Sequence, residues 1–282
     1  MTTELCLWRE GAVEVVLASD RLLEAPNWHL EGYLVVNGNG LLWRVPLDAP
    51  RLERIDTGPL RALNNDHGIS PDGRLIAVSD GRPSRVWLLP AGGGMPRLVT
   101  ENAPSYWHGW SPDGARLAFV ADRGAGFQVY EIAAAGGAER ALTEGFFHCD
   151  GPDYAPDGTL WFNGETEAGV DLWRLGPEGP ERMTEGPSVD WFPHPSPDGT
   201  RVLYLAFPPG TQGHPRGRDV ELRLMPSGGG PYETIVRLHG GQGTINVPCW
   251  SPDGRAFAFA RYAPEAADTS SPAARPSSPR RT

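Results

Sequence analysis

The string S-P-D-G, or a close relative of it, begins at His29 (as H-L-E-G), Ser70, Ser111, Ala155 (as A-P-D-G), Ser196 and Ser251, at intervals of 41, 41, 44, 41 and 55 residues. Six copies at about 40–45 residues have the period of a β-propeller blade. No other feature restricts the fold so strongly. A unit of that length cannot bury its own apolar face and must stack against its neighbours.

Each copy has the same internal order. In the third, "HGWS" reads as a short inner strand, "SPDG" as a turn and "ARLAFVAD" as a second strand. "RGAG" then makes a loop, "FQVYEIA" a third strand, "AAGGA" a turn and "ERALTE" an outer strand. Apolar residues alternate, as at Leu117 and Phe119, which is the period of strands and not of helices. The chain holds 36 Gly and 29 Pro in 282 residues, as many tight turns between short strands require. Within S-P-D-G, Pro presets φ at the second position, Asp bonds to nearby backbone and Gly suits the exit. The segment from Gly68 to Asp72 has only a superficial likeness to a nucleophile elbow, because its fifth residue is Asp and its serine opens a hairpin. The glycine clusters at 91–95, 134–138 and 227–231 fall between third and fourth strands, which makes them hairpin turns.

The ends complete a ring. The last repeat supplies two strands, around "NVPCWS" and "AFAFARY", and the N-terminus supplies two more, "ELCLWRE" and "AVEVVLAS". Joining them closes the last blade and removes open sheet edges. The expected fold is therefore all-β: one six-bladed propeller of four-stranded antiparallel blades over 1–262. Residues 263–282, with no aromatic residue and no Leu, Ile or Val, read as a disordered tail rich in Pro, Ser and Ala.

The repeats resemble those of the TolB-type six-bladed propellers. "NNDHGISPDG", "SYWHGWSPDG", "WFPHPSPDG" and "GGQGTINVPCWSPDG" are similar to stand-alone bacterial TolB-like proteins, often labelled Tol-type transporters, over about residues 5–262. The resemblance implies the six-bladed fold. TolB itself is periplasmic, has a further N-terminal α/β domain and works in the Tol–Pal envelope system. Similar propellers serve as gating domains of prolyl-oligopeptidase-type peptidases, and one relative, oligogalacturonate lyase, is a metal-dependent enzyme.

Composition narrows the function. A net charge of −10 argues against a nucleic-acid partner, and no apolar run approaches the roughly 18 residues of a membrane span. All 25 basic residues are arginine, which excludes Schiff-base chemistry and a phosphate-loop lysine. Cys6, Cys149 and Cys249 show neither disulfide nor zinc spacing and read as buried small residues. The first residues lack a signal-peptide pattern, so a cytoplasmic location is expected.

Blade parity puts the S-P-D-G and Gly-rich turns on one face. The loops leading into inner strands, and those joining second to third strands, lie on the other. The special residues gather on the second face, at the mouth of the central channel. They are Asn65, Asp66, His67, Trp107, His108, His148, Asp150, Trp191, His194 and Asn246. They are expected to form a ligand site. For His67 and His108 the competing expectation is a hydrogen bond to a neighbouring blade. The long loop within 206–220 and the segment 239–246 are expected to form a partial lid over the mouth. The function expected from this arrangement is a non-catalytic propeller that binds a small molecule, glycan or protein without a cofactor. The alternative is a metal-dependent carbohydrate lyase or hydrolase, with imidazoles holding Mn²⁺ or Zn²⁺ and Asp66 or Asp150 as base.

Overall fold

In the computed structural model, which describes residues 2–263, six antiparallel sheets stand around an axis. Blades 1 to 5 each have four strands in sequence order, with inner strands Glu24–His29, Leu63–Ile69, Ser105–Trp110, His148–Tyr154 and Val189–Pro195. Among the described residues there is no helix long and apolar enough to cross a membrane. The expected tail lies, apart from Ala263, outside the described residues.

The sixth blade is the composite one. Thr3–Arg9 pairs with Ala256–Tyr262 on one side and with Ala12–Ser19 on the other. Its inner strand is less regular than the sequence suggests, because "NVPCWS" contributes a single bridge, Trp250 to Phe257. Pro248 has no N–H to donate to a ladder. Irregular bonds fill in: Ala258 N–H donates to the Cys249 carbonyl at 2.9 Å and Ala260 N–H to the Thr244 carbonyl at 3.1 Å.

The S-P-D-G turns are structural. In four of them the serine hydroxyl donates to the turn aspartate at 2.5–2.6 Å (Ser70 to Asp72, Ser111 to Asp113, Ser196 to Asp198, Ser251 to Asp253). The same oxygen accepts the N–H five residues on, at 2.9–3.0 Å. A hydroxyl engaged twice in this way closes a hairpin and is not set up as a nucleophile. The final Gly has φ near +70°, a region that other residues resist.

Blades hold together through apolar layers and tryptophan struts. Trp110 Nε1–H donates to the Gly68 carbonyl at 3.0 Å, and Trp250 Nε1–H to the His194 carbonyl at 2.9 Å. Ala77, Leu88, Trp107, Trp110 and Phe119 form one such layer between blades 2 and 3. Each large side chain buried there contributes about 1.5–3 kcal/mol.

All five regular inner strands share a feature that positions the site. Each has a register shift against its partner: Glu24/Asn27, Leu63/His67, Trp107/Gly109, Asp150/Asp153 and Trp191/His194. A bulge breaks strict alternation and re-aims the side chains around it. Two of these bulges hold non-glycine residues at positive φ, Ala25 at 55° and Phe192 at 55°.

Candidate functional site

The bulged ends of the inner strands surround a cavity of 280 Å³ at one end of the axis. Blade 2 contributes Asn64, Asn65 and Asp66. Blade 3 contributes Tyr106, His108, Val120 and Phe127, and blade 4 contributes His148 and Asp150. Gln242 and Asn246 come from the segment before the last blade, and His214 from the long blade 5 loop. A second pocket of 480 Å³ adjoins it. The two share His148, His214 and Gln242, and the outer one also has Glu165, Trp191 and Arg216 on its wall.

Asp150 is the hub. Its Oδ1 lies 2.8 Å from His108 Nε2, and its Oδ2 lies 3.4 Å from His214 Nε2 and 3.9 Å from His148 Nε2. Burial alone would raise the Asp150 pKa, but the three imidazoles, His108 foremost, hold it well below the usual carboxylate range. Burial would likewise lower His108; the Asp150 carboxylate overrides it and brings the imidazole up to about 9. The other nitrogen of His108, Nδ1, faces the Asn246 carbonyl at 3.4 Å. Both ring nitrogens thus face acceptors, so the ring donates from both and is an imidazolium paired with Asp150. Blades 3 and 6 are opposite each other in the ring, so this side chain spans the axis.

Asp66 is different. It is buried, and burial, helped by the nearby Asp150 charge, pushes its carboxyl up to about 6 against the opposing pull of His108 and His214. Oδ2 accepts from Asn64 Nδ2 at 2.6 Å. Oδ1 has no donor among the described residues, and Asp66 lines the cavity.

The amides are linked to one another. Gln242 Nε2 donates to Asn65 Oδ1 at 3.3 Å, Asn246 Nδ2 to Gln242 Oε1 at 3.1 Å and Asn65 Nδ2 to Glu24 Oε1 at 3.3 Å. The blade 5 loop closes over them. His214 bonds Gln242 and packs on the Trp191 ring at 4.4 Å between centroids, and Arg216 pairs with Glu24.

Of the ten residues expected at the mouth, Asn65, Asp66, His108, His148, Asp150 and Asn246 line the cavity, and Trp191 lines the adjoining pocket. Three sit elsewhere. His67 is fully buried, with Nε2 3.2 Å from the Val35 carbonyl of blade 1, and burial drives its pKa down to about 4. Trp107 is fully buried in the layer between blades 2 and 3, directly over Gly68. His194 is buried below the mouth, engaged by Asp153 at 3.0 Å and by the Ile245 carbonyl at 2.6 Å. For these three the blade-to-blade bond or the apolar layer takes the side chain that parity would send to the channel.

His214, Gln242, Phe127, Glu24 and Arg216 are site residues that the repeat pattern does not pick out. The length of the blade 5 loop was the one signal pointing to His214 and Arg216. The three cysteines are free and buried, and burial raises the Cys149 thiol to about 12, which leaves it inert beside His148.

A divalent metal does not fit this donor set. His108 is paired with the Asp150 carboxylate at 2.8 Å, so that its ring has no free lone pair to offer. Among the described residues no group of three or more His, Cys, Asp or Glu side chains is arranged to hold an ion.

The chain matches no protein-family profile. It is 46% identical over 265 residues to an uncharacterized protein of Agrobacterium fabrum, covering 91% of this chain and 90% of that one. The structure of a putative TolB from Agrobacterium tumefaciens superposes with a TM-score of 0.91 at 44% identity, covering 94% of this chain and 99% of the other. TolB from Acinetobacter baumannii has a TM-score of 0.67 at 16% identity, covering 86% of this chain and 64% of that larger one, a likeness of fold alone.

Proposed function

As the chain belongs to the TolB-like family of six-bladed β-propellers, we propose that it acts as a non-catalytic binding propeller that holds a small polar molecule in the cavity at its channel mouth. The observation that carries this reading is the enclosure of that cavity. Side chains from blades 2, 3 and 4, from the segment before blade 6 and from the blade 5 loop converge on 280 Å³ of space. Convergent polar groups in a partly closed concave site are the usual mark of small-ligand recognition. The size suits one small molecule better than a polymer chain or a protein surface. The alternative of a metal-dependent lyase has less support, because His108 and Asp150 are engaged with each other.

The test is a thermal-shift survey of the purified protein with a panel of small polar metabolites, repeated on His108→Ala. A ligand that stabilises the wild type and not the variant supports the reading. A panel without effect on the wild type, together with capture of a protein partner that Asp253→Lys on the opposite face abolishes, overturns it.

A further inference from the structure

The cavity's hydrogen-bonding capacity is nearly all taken up. Asn64, Asn65, Gln242 and Asn246 are engaged with one another, with Asp66 or with backbone. His108 and Asp150 satisfy each other. The Asp66 carboxylate keeps one oxygen, Oδ1, without a donor among the described residues, on a residue that is only 7% exposed. The wall of the same cavity also carries aromatic rings. Tyr106 and Phe127 stand 5.9 Å apart with their planes at 49°, and Phe127 lies 5.3 Å from the His148 ring. A cavity with one free carboxylate oxygen and angled aromatic faces is a poor match for a sugar, whose several hydroxyls would each want a partner. It is a good match for a compact cation. A positive charge gains from the carboxylate and from the ring faces and asks for few directional bonds.

We propose that the ligand of this cavity is a small alkylammonium cation, with its charged head held between the Asp66 carboxylate and the Tyr106 and Phe127 rings. This inference rests on the reading of the cavity as a ligand site and adds the chemical class. The other charges around Asp66 are consistent with it. From blade 3 it faces His108, whose charge is balanced by Asp150 of blade 4, and from the blade 5 loop it faces His214. That leaves the Asp66 carboxylate as the uncompensated anion. Its carboxyl loses its proton at about pH 6, so the cation binds more tightly as the pH rises through that value.

The decisive experiment is calorimetric titration of the full chain with choline chloride, and separately with glucose. The expected result is saturable choline binding at pH 7.5 that weakens about ten-fold at pH 5, the limit set by one linked proton. Asp66→Asn is expected to weaken it at least ten-fold and to abolish the pH dependence. Phe127→Leu, which keeps the charge, is expected to weaken it several-fold while leaving the pH dependence in place. Glucose binding that displaces nothing and is indifferent to Asp66→Asn, with no response to choline, overturns the cation assignment and leaves the cavity a ligand site. Absence of any response to choline, to glucose and to the broader metabolite panel overturns both.

Discussion

Arg216 and Glu24 lie 192 residues apart in sequence, and their ion pair ties the blade 5 loop to the first inner strand, bridging the two blades that flank the composite sixth blade. The sixth blade is where the ring closes, so this pair works as a clasp over the seam. Burial raises the Glu24 pKa, and the Arg216 guanidinium opposes that rise. Removing only the arginine leaves a buried carboxylate without a counter-charge. Arg216→Met is expected to destabilise by about 2 kcal/mol at pH 8, below the full cost of breaking a buried pair because Arg216 is partly exposed. Its raised pKa means Glu24 disfavours the folded state only when ionised, so the loss shrinks toward pH 5. The double variant Glu24→Gln with Arg216→Met should regain most of the loss. Chemical denaturation at the two pH values checks this, and a double variant no better than the single one counts against the clasp.

His67 and His108 occupy matching places before S-P-D-G yet do different work. His67→Ala is expected to cost about 2–4 kcal/mol, since it opens a cavity and removes the buried bond to the Val35 carbonyl. It should leave the occupancy of the channel cavity unchanged. The folded-state pKa of His67 is depressed to about 4 from 6.5, so the unfolded chain binds the proton more readily. Its contribution to stability is therefore complete above about pH 6.5 and is lost as the pH falls toward 4. Melting curves of wild type and His67→Ala should converge over that interval; parallel curves would refute the assignment.

Asp66 trades stability for an open acceptor. Its folded-state pKa of about 6 against 3.8 means that the folded state binds the proton more tightly. Stability from this group is full below about pH 4 and is lost as the pH rises through 6. Asp66→Asn should therefore be more stable than wild type at pH 8, by about 1–3 kcal/mol, and equal to it at pH 4. A variant less stable at pH 8 would show that the carboxylate is a structural partner of His108.

Gly68 is the seat of the Trp107 indole. A Cβ built there lies 2.0 Å from the nearest ring carbon. Gly68→Ala is expected to destabilise by about 1–3 kcal/mol, the usual cost of overpacking, and more where the rigid ring cannot yield. Pairing it with Trp107→Leu should recover part of the loss, because the small ring-for-chain exchange frees the space. Equal losses in single and double variants would mean that the two side chains are not coupled.

Much of the architecture was legible because it repeats. Pro, Asp and Gly at fixed offsets specify a turn through local backbone chemistry, and four of the turns close with the same serine–aspartate bond, at 2.5–2.6 Å. Two-residue alternation identified the strands, and the surplus strands at each end identified the seam. The candidate cavity was legible as a region but not residue by residue. His108 and His67 look alike in sequence, and one faces the cavity while the other is bonded to the next blade. His214 belongs to no repeat at all.

Local order, then, was determined by sequence alone: turn type and strand period are short-range consequences of residue identity, and the blade number and the composite last blade follow from counting the repeats and the strands left over at each end. Tertiary structure decided which side chains meet. Each regular inner strand carries a register shift at the mouth, of two residues in Leu63–Ile69 and of one in the other four, and one extra residue in a strand moves its neighbours to the other side. The position of each shift depends on how adjacent blades pack, as where Trp107 fills the space above Gly68, and no single repeat contains that information. The raised carboxyl of Asp66 and the lowered one of Asp150 follow from the same cause, because burial and charge at the axis are sums over blades that are far apart in the chain.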